Sequence, residues 1–436
     1  MRTCLFLCAI GLSASVATGQ TISPFYDALS REVLSVNDGW AAFGAGTTGG
    51  SAATADRVFI VTNRAQLIAS LSGTAPKIIF VSGTIALNVD DAGQPLTCDA
   101  YAAGTGYTLE AYLAAYDPAT WGRRLPSGPL ENARVAAHTK QQNRIRVNLT
   151  SNTTLVGLGP DARIVGAHVR VNNIQNVIVR NITFEDAFDC FPQWDPTDGA
   201  QGNWNASYDN ISLTGATNVW VNHNTFNDGE HPDSAQPVFF GRPFVIHDGA
   251  VDITNASDLA TVSWNRFLEH DKVMLIGSSD GATADVGKLR VTVHHNVFDS
   301  SVQRTPRVRF GQVHVYNNYY IVKAATYGYS WGVGVQSQIY AENNFFVTDV
   351  PVDPSRFISR FNGELIFVGD TLLNGHSRRS HIDVLALYNA ARDPDLSNAV
   401  TWTPFLVADF DSTQSVAGRV GHKAGTFRED EEEDER

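Results

Sequence analysis

Short stretches of alternating apolar and polar residues recur along the middle of the chain, and each ends in an asparagine followed by an aromatic residue. The pattern apolar-x-apolar-x-x-Asn-x-aromatic occurs as VWVNHNTF, ATVSWNRF, VTVHHNVF, VHVYNNYY and IYAENNFF. A looser copy, VIVRNITF, precedes them. Alternation over so few residues predicts a short strand, and the asparagine marks the bend after it.

The spacing of these copies predicts how the strands assemble. Asn296 and Asn318 are 22 residues apart, and the other copies are separated by longer, loop-like intervals. Strands too short to bury a face alone are typical of a solenoid, whose stacked coils share one core. Asparagines at the same bend of every coil would stack into a ladder and satisfy backbone groups that the turn leaves open. The pattern favours an all-β, single-domain, right-handed parallel β-helix with loop and short helical excursions. A β-sandwich with accidental similarity among its strands is the alternative.

One segment has helical rather than strand periodicity. Between Tyr107 and Trp121, apolar residues recur at helical spacing, at Leu109, Tyr112, Leu113 and Tyr116. Pro118 is predicted to stop this helix. We expect a surface excursion from the solenoid.

Composition and the N-terminal segment predict where the protein is found. Of the 436 residues, 43% are hydrophobic, 36 are glycine and 17 are proline, which is typical of a globular, turn-rich protein. Residues 1–19 combine an early arginine with an apolar run too short to span a bilayer, which predicts a secretory signal peptide. Residues 20–427 would form the β-helix domain, and residues 428–436 an acidic, disordered tail. The protein is therefore expected to be secreted and extracellular, without a membrane segment. In that compartment Cys98 and Cys190 could form a disulfide or remain two buried thiols.

Three aspartates are candidates for a metal site. Asp248 and Asp252 lie four residues apart around a glycine, and Asp209 precedes another predicted strand start. If these segments are successive coils, the three carboxylates converge and repel one another unless a cation binds. A hard cation with oxygen ligands, calcium above all, suits such a site. Aspartate is also common in turns, so the pattern alone leaves a purely structural interpretation open.

Basic residues follow the aspartates directly. Lys272 enters the next apolar strand, and the segment QRTPRVRFG then carries Arg304, Arg307 and Arg309. Arg307 and Arg309 alternate with a valine, which predicts that they share one face of a strand. These arginines could be a surface ion-pair set, but beside a cation site they would line a groove for a polyanion. The formal net charge of -13 and the small basic patch argue against nucleic acid.

Long ordered motifs carry a family resemblance. The stretches WDPTDG, NWNASYDNISL, NVWVNHNTF, HDGAVDITNASDLATVSWNRF, HDKVMLIGSSD and RTPRVRFGQVHVYNNYY resemble the secreted calcium-dependent pectate lyases. These are polysaccharide lyases with a right-handed parallel β-helix. The likeness runs from about Gly39 to the segment VAGRVGHKAG, which is most of the chain.

The resemblance implies roles for individual residues. Asp209, Asp248 and Asp252 match the family's primary calcium ligands, Arg304 matches its proton-abstracting base, and Lys272 and Arg309 match residues that hold substrate carboxylates. One residue departs from the family pattern, because Asn222 stands where the strand motif usually has aspartate. We interpret that position as structural.

The implied activity is β-eliminative cleavage of polygalacturonate to unsaturated oligogalacturonides, by a monomer that binds neither nucleic acid nor membrane. Since a guanidinium is protonated near neutral pH, a base of this type predicts activity that rises into the alkaline range. The alternatives are a pectin lyase, which acts on methyl-esterified polymer without calcium, and a non-catalytic polysaccharide-binding solenoid. A hydrolase would use a pair of carboxylates and a water, for which the segment from Arg304 to Arg309 offers no groups.

Overall fold

Each repeat forms one coil of a stack in which strands from successive coils run parallel, side by side. The computed structural model describes residues 21–427. Within them Trp220 lies beside Thr261, Thr261 beside Thr292, and Thr292 beside His314, in unshifted register. Each short strand pairs with the coil before it and the coil after it, so the coils share one continuous core. The predicted all-β parallel β-helix is confirmed, and the β-sandwich alternative was wrong.

Three parallel ladders run along the stack, and we call them sheet 1, sheet 2 and sheet 3. Sheet 1 consists of Val58–Val61, Lys77–Ala86, Thr153–Val165, Gln175–Arg180, Thr217–Asn222, Asp258–Ser263, Val291–His294, Gln312–Tyr316, Gln338–Glu342 and Leu365–Val368. Sheet 2 continues from the two long strands, after a β-bulge, through Thr183–Glu185, Thr225–Asn227, Arg266–Leu268, Val297–Asp299, Tyr319–Val322, Asn344–Thr348 and Thr371–Leu373. Sheet 3 consists of Arg146–Asn148, His168–Asn172, Ile211–Thr214, Val251–Thr254, Leu275–Ile276, Arg307–Val308, Trp331–Gly334 and Ile358–Phe361.

Helices lie at the ends of the stack and in one insert between coils. The α-helices of the described chain are Pro24–Arg31, Arg64–Ser70, Cys98–Ala102, Leu109–Ala115, Pro118–Trp121, Pro129–Ile145, Val384–Ala391 and Thr413–Lys423. Two small hairpins pair Gln193–Asp195 with Asn203–Asn205 and Val238–Phe239 with Arg242–Pro243. The excursion predicted over Tyr107–Trp121 is helical but divided. The Asp117 side chain caps a second helix that Pro118 begins, so this proline does not end the helical segment.

The repeated asparagines form the predicted ladder. Their backbone N–H groups donate to the side-chain Oδ1 of the next asparagine at 2.9 to 3.0 Å, through Asn224, Asn265, Asn296, Asn318 and Asn344. Each side-chain Nδ2 donates in turn to a backbone carbonyl of the preceding coil. All five side chains are fully buried. Buried turn groups that would otherwise lack partners are thereby satisfied, which explains asparagine at this bend.

Aromatic residues two positions after the ladder stack inside the coils. Consecutive ring centroids are 4.2 to 5.3 Å apart along Phe184, Phe226, Phe267, Phe298, Tyr320 and Phe346. Such pairs contribute roughly 0.5–1.5 kcal/mol each beyond the area they bury. The asparagine and the aromatic residue of each repeat therefore stabilise the same turn of the coil, the first by hydrogen bonds and the second by ring stacking.

A second aromatic cluster joins the helical insert to the stack. Tyr112 and Tyr116 pack with Phe191, Trp194 and Trp204, which come from the loops and the hairpin that precede the strand Ile211–Thr214 of sheet 3. The disulfide between Cys98 and Cys190 ties the same insert to the same loops. Of the two states left open for these cysteines, the structure therefore has the disulfide. The insert is held beside the first coils of sheet 3.

The two ends of the chain were also assigned from sequence. The predicted signal peptide, residues 1–19, and the predicted tail, residues 428–436, lie outside the described residues. Between residues 21 and 427, no helix combines the length and the apolar character needed to cross a membrane.

Candidate active site and metal centre

The three aspartates singled out in the sequence meet on adjacent coils of sheet 3. Asp209 and Asp248 each precede a strand of this sheet, and Asp252 lies within the second of those strands. The backbone N–H of Gly249 donates to Asp209 Oδ1 at 2.9 Å, and that of Leu275 donates to Asp252 Oδ1 at 2.8 Å. The expected convergence of the three carboxylates is what the structure contains.

Gly249 is the residue that lets two of these carboxylates approach. A Cβ atom at this position would lie 2.5 Å from Asp252 Oδ1 and 2.9 Å from Asp209 Oδ1. Any side chain would therefore occupy the space between the carboxylates. The glycine leaves room there for a small ligand bound by oxygen atoms.

The aspartates are partly removed from water without full compensation of their charge. Burial, with the negative charge of Asp248 added, raises the pKa of Asp209 to about 7. Burial and then Asp209 and Asp248 raise the pKa of Asp252 as well, while the nearby Arg304 acts in the opposite direction. Carboxylates with such raised pKa values bind either protons or a cation. The site is therefore built for a positive ligand.

A side-chain relay fixes Asp209 from the neighbouring coil. The Ser212 hydroxyl donates to Asp209 Oδ2 at 2.6 Å, and His168 Nε2 lies 2.6 Å from the same hydroxyl. Because Ser212 donates toward the carboxylate, it accepts from an Nε2–H of His168. Burial, with Arg170 and Arg146 adding to its effect, lowers the pKa of His168 to about 3, so this histidine stays neutral.

Lys272 lies directly beside the acidic cluster. Its Nζ is 3.3 Å from Asp248 Oδ1, and 12% of its side chain is exposed, against 31% for Asp248. Its backbone forms a bridge to Gly249 on one side and to Gln303 on the other. The same bridges place Arg304, which follows Gln303 in the chain, two coils beyond Asp248.

Arg304 lies on a bend between coils. Its backbone has a φ of 60°, in the left-handed region, and its carbonyl accepts from the Met274 N–H at 2.8 Å. Its Nε is buried without a hydrogen-bond partner among residues 21–427. Because the charge of Arg304 acts against the raised pKa of Asp252, its guanidinium lies near the acidic cluster.

The other two arginines of the segment are placed differently from each other. The strand is short and ends at Val308, one residue before Arg309. Arg309 lies on the following turn, where its Nε donates to Asp280 Oδ1 at 2.6 Å and its Nη1 donates to the Gly277 carbonyl at 2.9 Å. The Arg307 guanidinium lies 3.8 Å from the centroid of the Phe361 ring.

A buried histidine that the sequence analysis missed supports the loop of Asp248. His270 Nδ1 lies 2.5 Å from Asp228 Oδ1, and its Nε2 lies 2.9 Å from the Asp248 carbonyl oxygen. Burial alone would lower the pKa of His270, but the Asp228 carboxylate raises it above its usual value. A protonated ring donates from both nitrogens, and His270 therefore holds the backbone of Asp248 in place.

A second missed histidine lies next to Asp248 in the chain. His247 Nε2 is 3.2 Å from Asp186 Oδ1, and its Nδ1 is 3.3 Å from Asp233 Oδ1. Asp228, Asp233 and His247 are close enough together to hold a metal ion. However, although burial opposes it, the hydrogen bonds to Asp186 and Asp233 raise the pKa of His247 to about 10. These ion pairs make His247 a support for the loop of Asp248.

A signal for both histidines was present in the sequence. The dipeptide His-Asp occurs twice, at residues 247–248 and 270–271, each time just before a strand of sheet 3. Their carboxylate partners, Asp186 and Asp228, come from earlier coils and have no fixed spacing to them. The pairing therefore could not be derived from local pattern.

The structural interpretation of Asn222 agrees with its surroundings. Its side chain is buried on sheet 1, where its Oδ1 accepts from Arg180 at 2.9 Å. The same Oδ1 lies 2.9 Å from Nδ1 of His223. None of these contacts involves the aspartate cluster.

Comparison with known proteins gives consistent matches. A family model described as "Pectate lyase" matches residues 14–104 and 129–389. The chain is 46% identical over 406 residues to a pectate lyase of Bacillus subtilis (strain 168), which covers 91% of this chain and 93% of that protein. It is 34% identical over 382 residues to pectate lyase E of Dickeya chrysanthemi, with coverage of 84% and 83%.

Solved structures give the same picture. A thermostable pectate lyase superposes with a TM-score of 0.88 at 48% identity, covering 91% of this chain and 99% of that one. A pectate lyase bound to a hexasaccharide superposes with a TM-score of 0.86 at 45% identity, with coverage of 91% and 98%. The cedar pollen allergen Jun a 1 superposes with a TM-score of 0.51 at 17% identity, which supports the fold alone.

Proposed function

The chain belongs to the pectate lyase family and is thus an enzyme of the polysaccharide lyase class, and on this premise we propose that it cleaves polygalacturonate by calcium-dependent β-elimination. The products would be oligogalacturonides with a double bond between C4 and C5 of the new terminal ring. The observation that carries the proposal is the arrangement of charge on sheet 3. Three carboxylates lie together on two coils, and Lys272 and Arg304 lie on the next two.

The proposed calcium ligands are Asp209, Asp248 and Asp252. Their donor atoms are carboxylate oxygens, which calcium prefers, and the missing side chain of Gly249 leaves space between two of them. Burial, and then repulsion within the cluster, raises the pKa values of Asp209 and Asp252, and a cation would remove the repulsion. When bound, a calcium ion would withdraw charge from a galacturonate carboxylate and make the adjacent C5 proton more acidic.

The chain's own residues would divide the remaining work. Lys272 would pair with a substrate carboxylate and fix the ring, since its only described ion-pair partner is the half-buried Asp248. Arg309 is proposed for the same task, and binding would require it to share its guanidinium between the substrate and Asp280. Positive groups on both sides of the carboxylate would stabilise the charge that develops at C5.

Arg304 is the proposed base. In its neutral guanidine form it would accept the proton from C5 and become a guanidinium, the C5–H electrons would form the C4–C5 double bond, and the C4–O bond would break. The glycosidic oxygen would leave with a proton from water. The unpartnered Nε of Arg304 supports this role, because a guanidinium already engaged by a carboxylate could not approach C5.

We propose the remaining assignments on the same basis. Residues 1–19 would be a signal peptide, residues 20–427 the lyase domain and residues 428–436 an acidic tail. The enzyme would be a secreted, extracellular monomer whose partner is pectate and which binds neither nucleic acid nor membrane. The pectin lyase alternative is not favoured, because esterified substrate would not require three aspartates at one site.

The test is a product assay on polygalacturonate, with and without a calcium chelator. Ultraviolet absorbance of the new conjugated double bond should rise with the wild-type enzyme, and the chelator should abolish the rise. Calcium but not magnesium should restore it. Reducing sugar formed without this absorbance would identify a hydrolase, and no product at any pH would leave a binding solenoid. Activity on methyl-esterified polymer that survives chelation would identify a pectin lyase.

A further inference from the structure

Two arginines lie on the outer face of sheet 3, on the coils that precede the aspartate cluster. In the strand register, Asn148 lies beside Arg170, Arg170 beside Ser212, and Ser212 beside Asp252. Arg146 is two residues before Asn148 and so shares its face of the sheet. The two arginines therefore continue the same surface that carries the proposed calcium site.

The guanidinium groups of Arg146 and Arg170 have no hydrogen bond and no ion pair with any residue from 21 to 427. The Nε of Arg146 is buried and without a partner, and the pKa of Arg146 is lowered by burial and then by the positive charge of Arg170. Arg163, which lies on a neighbouring ladder of the same coils, behaves differently, since it pairs with Glu185. The chain has 45 acidic residues against 32 basic ones, so a shortage of carboxylates does not explain why these two guanidinium groups are unpaired. Two adjacent unpaired cations indicate an anionic ligand from outside the chain.

The position of the pair relative to the site sets which part of a ligand it could meet. Parallel strands are about 4.8 Å apart, so Arg170 lies two strands, or about 10 Å, from Asp252. It lies four strands, or about 19 Å, from Arg307, which is longer than three sugar rings. A polymer lying across the strands of sheet 3 would reach both Arg170 and Arg307 only if it were longer than a trimer.

We propose that Arg146 and Arg170 form a distal subsite for the carboxylates of galacturonate units beyond those held at the aspartate cluster. The inference rests on the proposed function and extends it to substrate length. The planar guanidinium matches a carboxylate in a two-pronged geometry, whereas a methyl ester would offer only weak acceptors. The subsite therefore favours long, unesterified chains over short or esterified ones.

The experiment compares kcat/KM on a series of oligogalacturonides from the trimer to the hexamer, for wild type, Arg146→Gln and Arg170→Gln. Each substitution should lower kcat/KM on the hexamer by about tenfold, mainly through KM, and the loss should shrink as the substrate shortens. Arg170→Lys should recover part of the loss, since it keeps the charge. The control is Arg163→Gln, which removes an arginine of the coils paired with Glu185 and should give the wild-type profile.

A loss of equal size at every substrate length, or no loss at any length, would overturn the subsite. Its failure can be separated from failure of the proposed function by calorimetric binding of hexagalacturonate in the presence of a chelator. If the wild type forms no unsaturated product, the lyase proposal fails. In that case weaker hexamer binding by Arg170→Gln still supports an anion subsite, and unchanged binding removes it.

Discussion

The outer faces of sheet 1 and sheet 3 are formed by the same coils, yet their charged groups are arranged differently. On sheet 1, segments near the two ends of the described chain cover the strands and pair with their ionisable groups. His294 Nε2 lies 3.1 Å from Asp38, and His295 Nε2 lies 3.2 Å from Asp411. On sheet 3 like charges are grouped instead, with the acidic cluster around Asp252 followed by the basic groups.

The difference separates what stabilises the fold from what acts on a ligand. Charges that are buried for stability need a partner of opposite sign, because unpaired buried charge is costly. Arg290 on sheet 1 meets this condition by a two-pronged contact with Asp258. Arg304 on sheet 3 does not, since its buried Nε lacks a partner in the described chain. Arg180 on sheet 1 also has a buried Nε without a partner, but its Nη1 pairs with Glu32, whereas no ion pair engages Arg304 within residues 21–427. A cation left in this state is an indication of function.

The largest expected difference concerns these two arginines. Arg304→Ala should lower kcat on polygalacturonate by about a thousandfold or more, as expected for loss of a base, with little change in stability. Arg290→Ala should keep the activity but lower the free energy of unfolding by about 1–3 kcal/mol, because it strands the buried Asp258. Initial rates and urea unfolding of both variants measure the contrast. Equal losses of stability with retained activity in both would contradict the proposed role of Arg304.

The next contrast is between two buried aspartates. Asp252→Asn should weaken calcium binding by about a hundredfold and stabilise the calcium-free protein by about 1 kcal/mol, since it removes repulsion within the cluster. Asp258→Asn should destabilise the protein, because Arg290 then loses its partner. Calorimetric calcium titration and urea unfolding with chelator give both values. A calcium-free Asp252→Asn protein less stable than wild type would argue against repulsion in the cluster.

A smaller effect is expected from two buried histidines. His270 and His314 each pair with one carboxylate, but only His270 also holds the Asp248 backbone. His270→Ala should raise the calcium dissociation constant by about tenfold, whereas His314→Ala should leave it unchanged. Both substitutions should lower stability, so stability serves as the matched control. If the two variants bind calcium equally well, His270 has no positioning role.

The smallest effect concerns acid. Burial, despite the hydrogen bond to Asp411, lowers the pKa of His295 to about 4. The unfolded chain therefore binds more protons than the native chain below the ordinary histidine pKa, and stability falls as pH falls. His295→Gln should flatten this fall by about 1 kcal/mol between pH 7 and pH 5.5. Urea unfolding at a series of pH values measures the slope, and an unchanged slope would remove His295 from the acid response.

The sequence predicted most where neighbouring residues carry the information. The ladder of Asn224 and its equivalents follows from a pattern within eight residues, and the structure contains it as predicted. The aspartates were also brought together as expected, since each precedes or begins a strand that the pattern locates. The pairing of Arg309 with Asp280 was not predicted, because Asp280 comes from the preceding coil. His247 and His270 were missed because their partners come from other coils.

The amino-acid sequence by itself determined the coil, its bends, its buried face and the residue types of the site, since these depend on alternation and turn chemistry within one repeat. The tertiary structure decided which charges meet. Residues that meet across coils are separated in the chain by loops of unequal length, so the pairing of His270 with Asp228 has no local signature. The same holds for Arg146 and Arg170, whose guanidinium groups lack a partner among residues 21–427, because this depends on the whole surface rather than on any one segment.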